Sequence, residues 1–185
     1  WGHNYENQNE SYKVHVIKRT ILPSPFKLIL NLYRMSKLTK KVILENNIQI
    51  IYAQNSDTAG LPALYAVKRT KIPLVIKFVG DWSWETSILK NRTKKNLDEY
   101  YLNPEKSFFV RFTKFFERTI AENADAFVVP SNYLKKILKL WPVDKPIFVI
   151  PNAISLDKVK KIQTKHPYII CIGRLVPWKD FESII

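Results

Sequence analysis

Apolar residues alternate along the chain between short continuous runs and longer stretches with helical spacing. The short runs are rich in β-branched residues and predict five buried strands, at 12–17, 48–53, 74–79, 126–129 and 147–150. The longer stretches predict four helices between the strands, at 26–45, 58–69, 108–120 and 132–140. Strand–helix alternation with nearly continuous apolar strands is typical of a parallel sheet. The pattern therefore predicts an α/β fold, a Rossmann-like parallel sheet with helices on both faces.

Two of the predicted helices carry a distinct apolar face. In helix 26–45 its members are Phe26, Ile29, Leu30, Tyr33, Leu38 and Val42. In helix 108–120 they are Phe108, Phe112, Phe115, Phe116, Thr119 and Ile120. A helix of this kind usually buries its apolar face in the domain and solvates its lysines. Helix 26–45 also carries five basic residues, so peripheral contact with an anionic membrane is a second interpretation of it.

A polar, lysine-rich stretch after residue 153 predicts a domain boundary. We expect a first Rossmann-like domain at 1–153, a linker at 154–166, and the first strand and turn of a second Rossmann-like domain at 167–185. The chain starts at Trp1 rather than Met and stops inside what reads as an amphipathic helix. These features predict an incomplete chain that lacks the first strand of its first domain.

The charge favours a polyanionic partner, but only weakly. The chain has 30 basic and 16 acidic residues, for a net charge of +14. Most of the basic residues are Lys, whereas sequence-specific nucleic-acid readers depend on Arg. Because no helix-turn-helix, RNA-binding aromatic signature or zinc spacing is visible, nucleic acid is not the expected partner.

Cysteine content and hydropathy indicate where in the cell the protein is expected to be. Cys171 is the only cysteine, which excludes an internal disulfide, and we expect it to be a buried, inert thiol within strand 168–172. No apolar run approaches the roughly 20 residues needed to span a bilayer. We expect a cytoplasmic protein, at most peripheral to the inner face of the cell membrane. No His/Cys cluster has metal-ligand spacing, so no metal site is expected.

The turn after the last predicted strand suits a diphosphate. Gly173 lets a phosphate approach the backbone closely, and Arg174 and Lys179 add two cations within one short turn. A plain strand–turn–helix with two solvated basic residues is the structural alternative.

Three segments in order resemble sequence blocks of the family-4 glycosyltransferases of the GT-B fold. They are 124–134, where a strand ends in Pro-Ser, 149–154, where a strand ends in Ile-Pro-Asn, and 168–179, where a strand ends in Gly-Arg-Leu with a lysine five residues after the arginine. Two flanks depart from the family pattern: Ala153 replaces a glycine, and Trp178-Lys179-Asp180 replaces Glu-Lys-Gly.

This resemblance implies a two-domain enzyme that moves a sugar from a nucleotide-diphospho-sugar to an acceptor, with retention of anomeric configuration. The acceptor would be a glycan or a lipid-linked glycan bound mainly to the first domain. Gly173, Arg174 and Lys179 would hold the donor diphosphate, without metal or other cofactor. Since most of the donor domain would lie outside this chain, we expect the chain alone to transfer no sugar.

The segment 79–85 is a further candidate, because two Trp and two carboxylates follow a strand end. Many relatives carry a His where Gly80 stands, so that role is not transferred. Asp81 is the catalytic candidate, with capping of a helix as its structural alternative. Aromatic faces stack on sugars and carboxylates accept bonds from hydroxyls. We therefore expect the cleft to be lined by Trp82, Glu85, Ser131 and Asn152, although Ser131 also fits a helix N-cap.

Two other functions remain open. The net charge would also suit a non-catalytic basic α/β module that binds nucleic acid. A sugar-nucleotide epimerase can share the two-domain fold, and it would process a donor with no acceptor present.

Overall fold

The computed structural model describes residues 13–17, 24–68, 70–103, 107–154 and 169–184. Its strands are β1 (Ile51–Ala53), β2 (Leu74–Lys77), β3 (Ala126–Val129) and β4 (Ile147–Val149). Its α-helices are α1 (Ser24–Glu45), α2 (Leu61–Val67), α3 (Trp82–Leu89), α4 (Leu97–Leu102), α5 (Phe108–Asn123) and α6 (Asn132–Leu138). The four strands form one parallel sheet in the order β1-β2-β3-β4. The predicted α/β class with a parallel sheet is confirmed.

Alternate residues of the strands point into one core. Leu74 and Ile76 in β2, and Phe127 and Val129 in β3, are completely buried there. Phe148 of β4 pairs with Val128 of β3. It lies on the face of the sheet opposite to Phe127, and it is 54% exposed. Because successive strand residues point to opposite faces, the two sides of this sheet are buried unequally within the described residues.

Side-chain caps explain where several helices begin. Asp81, Ser107 and Ser131 each accept a hydrogen bond from the backbone N–H three residues later. At α4, Asn96 and Glu99 bond reciprocally to each other's backbone N–H, which is a capping box. Each such cap satisfies a backbone donor that the helix leaves without a partner, and contributes about 1 kcal/mol.

Two predicted strands are wrong in their described parts. Residues 13–17 form no strand, and neither do residues 169–172; Tyr12 and Tyr168 lie outside the described residues. In the described part of the chain β1 pairs only with β2, and no second sheet is present for 169–172 to join. An apolar run without a pairing neighbour cannot form the hydrogen-bond ladder of a strand. Cys171 is consequently exposed rather than buried.

The amphipathic helix predicted to open near residue 180 is also not formed. Two 3₁₀ turns stand there instead, Pro177–Lys179 and Phe181–Ile184. Asp180 between them has a φ of 46°, a left-handed conformation that interrupts a regular helix. Among the described helices, none is long and apolar enough to cross a membrane.

The predicted apolar faces of α1 and α5 are only partly buried, because three of the six predicted members in each helix are exposed. In α1, Phe26, Ile29 and Tyr33 are 62–69% exposed, whereas Ile43 is buried. In α5, Phe108 and Phe115 are among the exposed residues. The buried side of α5 carries mostly smaller residues: Val110, Thr113, Glu117, Ile120 and Ala121. Close packing on α2 and α3 favours these smaller side chains.

We predict that Phe127→Ala lowers the free energy of unfolding by about 3–5 kcal/mol, because a completely buried aromatic ring leaves a cavity. Phe148→Ala in the neighbouring strand removes the same atoms from a half-exposed position. It should cost less than about 1 kcal/mol. Urea denaturation of both variants measures the difference, and equal losses would contradict the assignment of the core to one side of the sheet.

Candidate functional site at the carboxyl ends of the strands

The sheet brings the segments that follow β2, β3 and β4 to one edge, because the carboxyl ends of parallel strands lie together. A hydrogen bond ties this edge across the sheet. Lys77 Nζ at the end of β2 donates to Asn152 Oδ1 beyond β4, at 2.7 Å. The predicted site residues Asp81, Ser131 and Asn152 all follow strands that end at this edge.

Asp81 lies beneath this edge and is only 1% exposed. Its Oδ1 accepts a hydrogen bond from the backbone N–H of Trp84 at 2.7 Å, which caps α3. Its Oδ2 accepts from the Tyr101 hydroxyl, which in turn accepts from the indole N–H of Trp141. Burial raises the pKa of Asp81, although these hydrogen bonds and Lys114 oppose the rise. In this conformation both carboxylate oxygens are engaged within the protein.

A buried polar cluster continues below Asp81, and sequence reasoning missed it. Ser83 Oγ shares hydrogen bonds with Tyr100 Oη at 2.8 Å and with Thr113 Oγ1 at 2.7 Å. Glu117 lies one turn along α5 from Thr113, and burial raises its pKa, whereas the backbone N–H of Ser83 opposes that rise. Its Oε1 is buried with no hydrogen-bond partner. Thr113 and Glu117 are four residues apart, and that spacing was the available signal that polar residues share one helix face.

Glu85 is half-buried and faces the basic turn that follows residue 172. Burial raises its pKa, whereas Arg174 and Lys179 lower it by electrostatic attraction. Asp57 and Asp81 add to the rise. Two like charges and two opposite charges thus act on the same carboxylate, and the cations come from the segment predicted to bind diphosphate.

Aromatic contact holds that basic turn against α3. The rings of Trp84 and Trp178 lie 5.6 Å apart, between the first turn of α3 and the Pro177–Lys179 turn. Gly80 permits the approach of Glu85, since a Cβ at this position would overlap Glu85 Oε1. The absence of a side chain at Gly80 therefore lets the Glu85 carboxylate turn back towards the end of β2.

The remaining predicted residues have identifiable local roles. Trp82 is half-buried, with its ring edge-on to Phe109 at 6.4 Å. Ser131 caps α6 by accepting from the Leu134 N–H at 3.2 Å. Gly173 is exposed, and a Cβ there would lie 3.0 Å from the Phe181 ring. Within the described residues, no group of three His, Cys, Asp or Glu side chains could hold a metal ion.

The comparison with protein families gives the class of this protein. Residues 2–158 match the family described as Glycosyltransferase Family 4. The match covers most of the 185 residues, so the chain belongs to that family, whose members use a sugar donor and an acceptor. No curated protein and no solved structure matches the chain significantly. Arg174 and Lys179 lie beyond the matched range, and their role stays a prediction.

The two buried carboxyls should make stability depend on pH. Burial raises the pKa of Glu117 well above its ordinary value of 4.5 and raises that of Asp81 from 3.8. Above these ordinary values the unfolded chain releases protons that the folded protein retains. The free energy of unfolding should therefore fall as the pH rises above about 4.5. Glu117→Gln removes one of the two groups, so its stability should depend less on pH.

Chemical denaturation at a series of pH values measures this dependence. Glu122→Gln, on the exposed side of the same helix, is the matched control and should keep the pH dependence of the unaltered protein. A Glu117→Gln variant with an unchanged pH profile would show that this carboxyl is not held protonated by burial.

Proposed function

We propose that this glycosyltransferase domain transfers a sugar from a nucleotide-diphospho-sugar to a glycan or lipid-linked acceptor, with retention of anomeric configuration. Residues 1–153 form the acceptor-side domain in this proposal, 154–166 the linker, and 167–185 the start of the donor-side domain. The observation that carries it is the contact of the Pro177–Lys179 turn with α3, where the rings of Trp178 and Trp84 lie 5.6 Å apart and Arg174 and Lys179 lower the pKa of Glu85.

The basic turn has the chemistry that a leaving diphosphate requires. Arg174 and Lys179 are exposed, so their charged groups remain accessible to a ligand. In the reaction the bond between the anomeric carbon and the diphosphate oxygen breaks. The acceptor hydroxyl oxygen forms the new bond to that carbon, and its proton leaves with the diphosphate. Two fixed cations stabilise the negative charge that develops on the leaving group.

The acceptor would contact the α3 side of the edge. Trp82 offers an aromatic face, and Glu85 offers carboxylate oxygens to sugar hydroxyls. Asn152 and Ser131 line the ends of the neighbouring strands. Asp81 acts here as a positioning residue, because its two oxygens cap α3 and hold Tyr101. It thereby fixes the helix turn that carries Trp82 and Glu85.

We predict that Arg174→Ala and Lys179→Ala each weaken the binding of a nucleotide-diphospho-sugar to the full-length protein by about tenfold or more, because each removes a charge-assisted contact to phosphate. Calorimetric titration with UDP- and GDP-linked sugars measures the change. Arg118→Ala and Lys139→Ala are the matched controls, since they remove the same charges from exposed positions on α5 and after α6.

The proposal fails if no nucleotide-sugar binds, or if the control variants lose as much affinity as the site variants. Tight, steeply salt-dependent binding to random DNA without nucleotide-sugar binding would favour the basic-module alternative. Conversion of the donor with no acceptor present would favour an epimerase.

A further inference from the structure

An apolar groove with a cationic rim lies between α1, α2 and α5, and its lining includes Leu61 of the core together with Leu32 and Phe116, which pack against that core. Ile29, Tyr33, Tyr65 and Phe116 contribute to its apolar lining, and Lys37 and Lys40 to its rim. Its volume is about 610 Å³. Ile29, Tyr33 and Tyr65 are each more than 60% exposed. We call this feature the lysine-rimmed groove.

A ridge of phenylalanines on α5 extends the groove. Phe108 stacks on Phe112, with ring centroids 6.3 Å apart, and Phe112 meets Phe116 edge-on at 4.8 Å. Phe115 contacts Phe116 at 5.6 Å and is 63% exposed. The groove and this phenylalanine ridge therefore form one continuous apolar surface. An apolar surface this extensive usually marks an interaction site.

The exposed face of α1 combines large apolar side chains with cations. One side of α1 carries residues spaced seven, four, three and four positions apart, which is helical spacing. They are Phe26, Tyr33, Lys37, Lys40 and Leu44. Phe26, Tyr33 and Leu44 are at least 62% exposed. Aromatic and aliphatic side chains interspersed with lysines are the composition of helices that lie at the surface of an anionic bilayer.

The charge around the groove has one sign. Among the described residues, no acidic side chain lines it. In α1, Lys27, Arg34, Lys37, Lys40 and Lys41 stand against a single acidic residue, Glu45, at the far end of the helix. The Lys41–Glu45 ion pair is at that end, at 3.7 Å. The occupant of this surface should accordingly carry negative charge next to apolar groups.

An anionic bilayer meets this requirement better than the other candidates. In a two-fold interface with a second copy, the same lysines would face each other and repel. Nucleic acid would use the lysines but would leave Ile29 and Phe115 without apolar partners. A bilayer supplies anionic headgroups for the lysines and acyl chains for the aromatic and aliphatic side chains.

We propose that the lysine-rimmed groove and the phenylalanine ridge dock on an anionic lipid bilayer, and that the acceptor is consequently lipid-linked. The second part rests on the proposed function. Phe109, next to Phe108, contacts Trp82 at 6.4 Å, and Trp82 follows the carboxyl end of β2. Docking through α5 therefore brings the candidate acceptor edge beside the membrane, where a lipid-linked hydroxyl would be presented.

Sedimentation of the purified full-length protein with lipid vesicles tests the docking. We expect binding to vesicles of phosphatidylcholine mixed with phosphatidylglycerol, little binding to phosphatidylcholine alone, and weaker binding in high salt. The double variant Lys37→Ala/Lys40→Ala should lower the partition coefficient about tenfold or more. Phe115→Ser should also lower it, by removing an inserted ring.

The matched control is Lys139→Ala/Leu140→Ser, because it removes an exposed cation and an exposed apolar side chain from the segment after α6. It should bind vesicles like the unaltered protein. The docking proposal is overturned by absent vesicle binding, by equal binding to both kinds of vesicle, or by an equal loss in the control. It is also overturned if the protein binds DNA but not vesicles, or forms a dimer that Phe115→Ser dissociates.

Nucleotide-sugar titration without vesicles separates this inference from the proposed function. Lys37→Ala/Lys40→Ala should leave donor affinity unchanged. If vesicle binding fails while donor binding persists, only the docking surface is wrong. If vesicles bind but no nucleotide-sugar does, the proposed function is wrong. A water-soluble glycan that is used as well as its lipid-linked form, even on vesicle-bound enzyme, would overturn the lipid-linked acceptor.

Discussion

The candidate site depends on the hydrogen bonds that the side chain of Asp81 accepts. This side chain lies at the end of β2, caps α3 and accepts from Tyr101, whose hydroxyl is also held by Trp141 near the end of α6. One buried group thereby links a strand end to three helical regions. Buried polar groups require such partners, because an unpaired one costs about 1–3 kcal/mol. Because Asp81 caps α3, it fixes the start of the helix that carries Trp82 and Glu85 and that contacts the basic turn through Trp84 and Trp178.

The same region carries an electrostatic cost. Glu117 is buried near Asp81, and burial together with Asp81 raises its pKa. Its Oε1 has no hydrogen-bond partner. Two buried carboxyls close together disfavour simultaneous ionisation, because the two negative charges would repel, so the pKa of at least one of them rises. The site edge is thus supported by a polar cluster rather than by apolar packing alone, and its partners come from α3, α4 and α5 as well as from the segment after α6.

The two sides of α5 differ in burial: one packs against the domain, and the other has exposed phenylalanines. The buried side carries small and polar residues, among them Thr113, which hydrogen-bonds to Ser83 of α3, whereas Phe108, Phe112 and Phe115 are exposed. Apolar residues that gather on one side of a helix do not by themselves determine that this side meets the core. Here the side with the smaller residues does, since it packs closely on its neighbours.

The sequence by itself determined the α/β class, the parallel sheet, the positions of β1 to β4 and most helices, and the family, because these follow from local periodicity and from short motifs. For Asp81 and Ser131 it indicated two possible roles, as a helix N-cap and as a site residue, because a side-chain oxygen can serve in either. Only the tertiary structure decided that 13–17 and 169–172 form no strands, that Cys171 is exposed, and that Tyr101 and Glu117 belong to the site's support. Strand pairing and burial depend on residues far apart in the chain, and no local pattern contains that information.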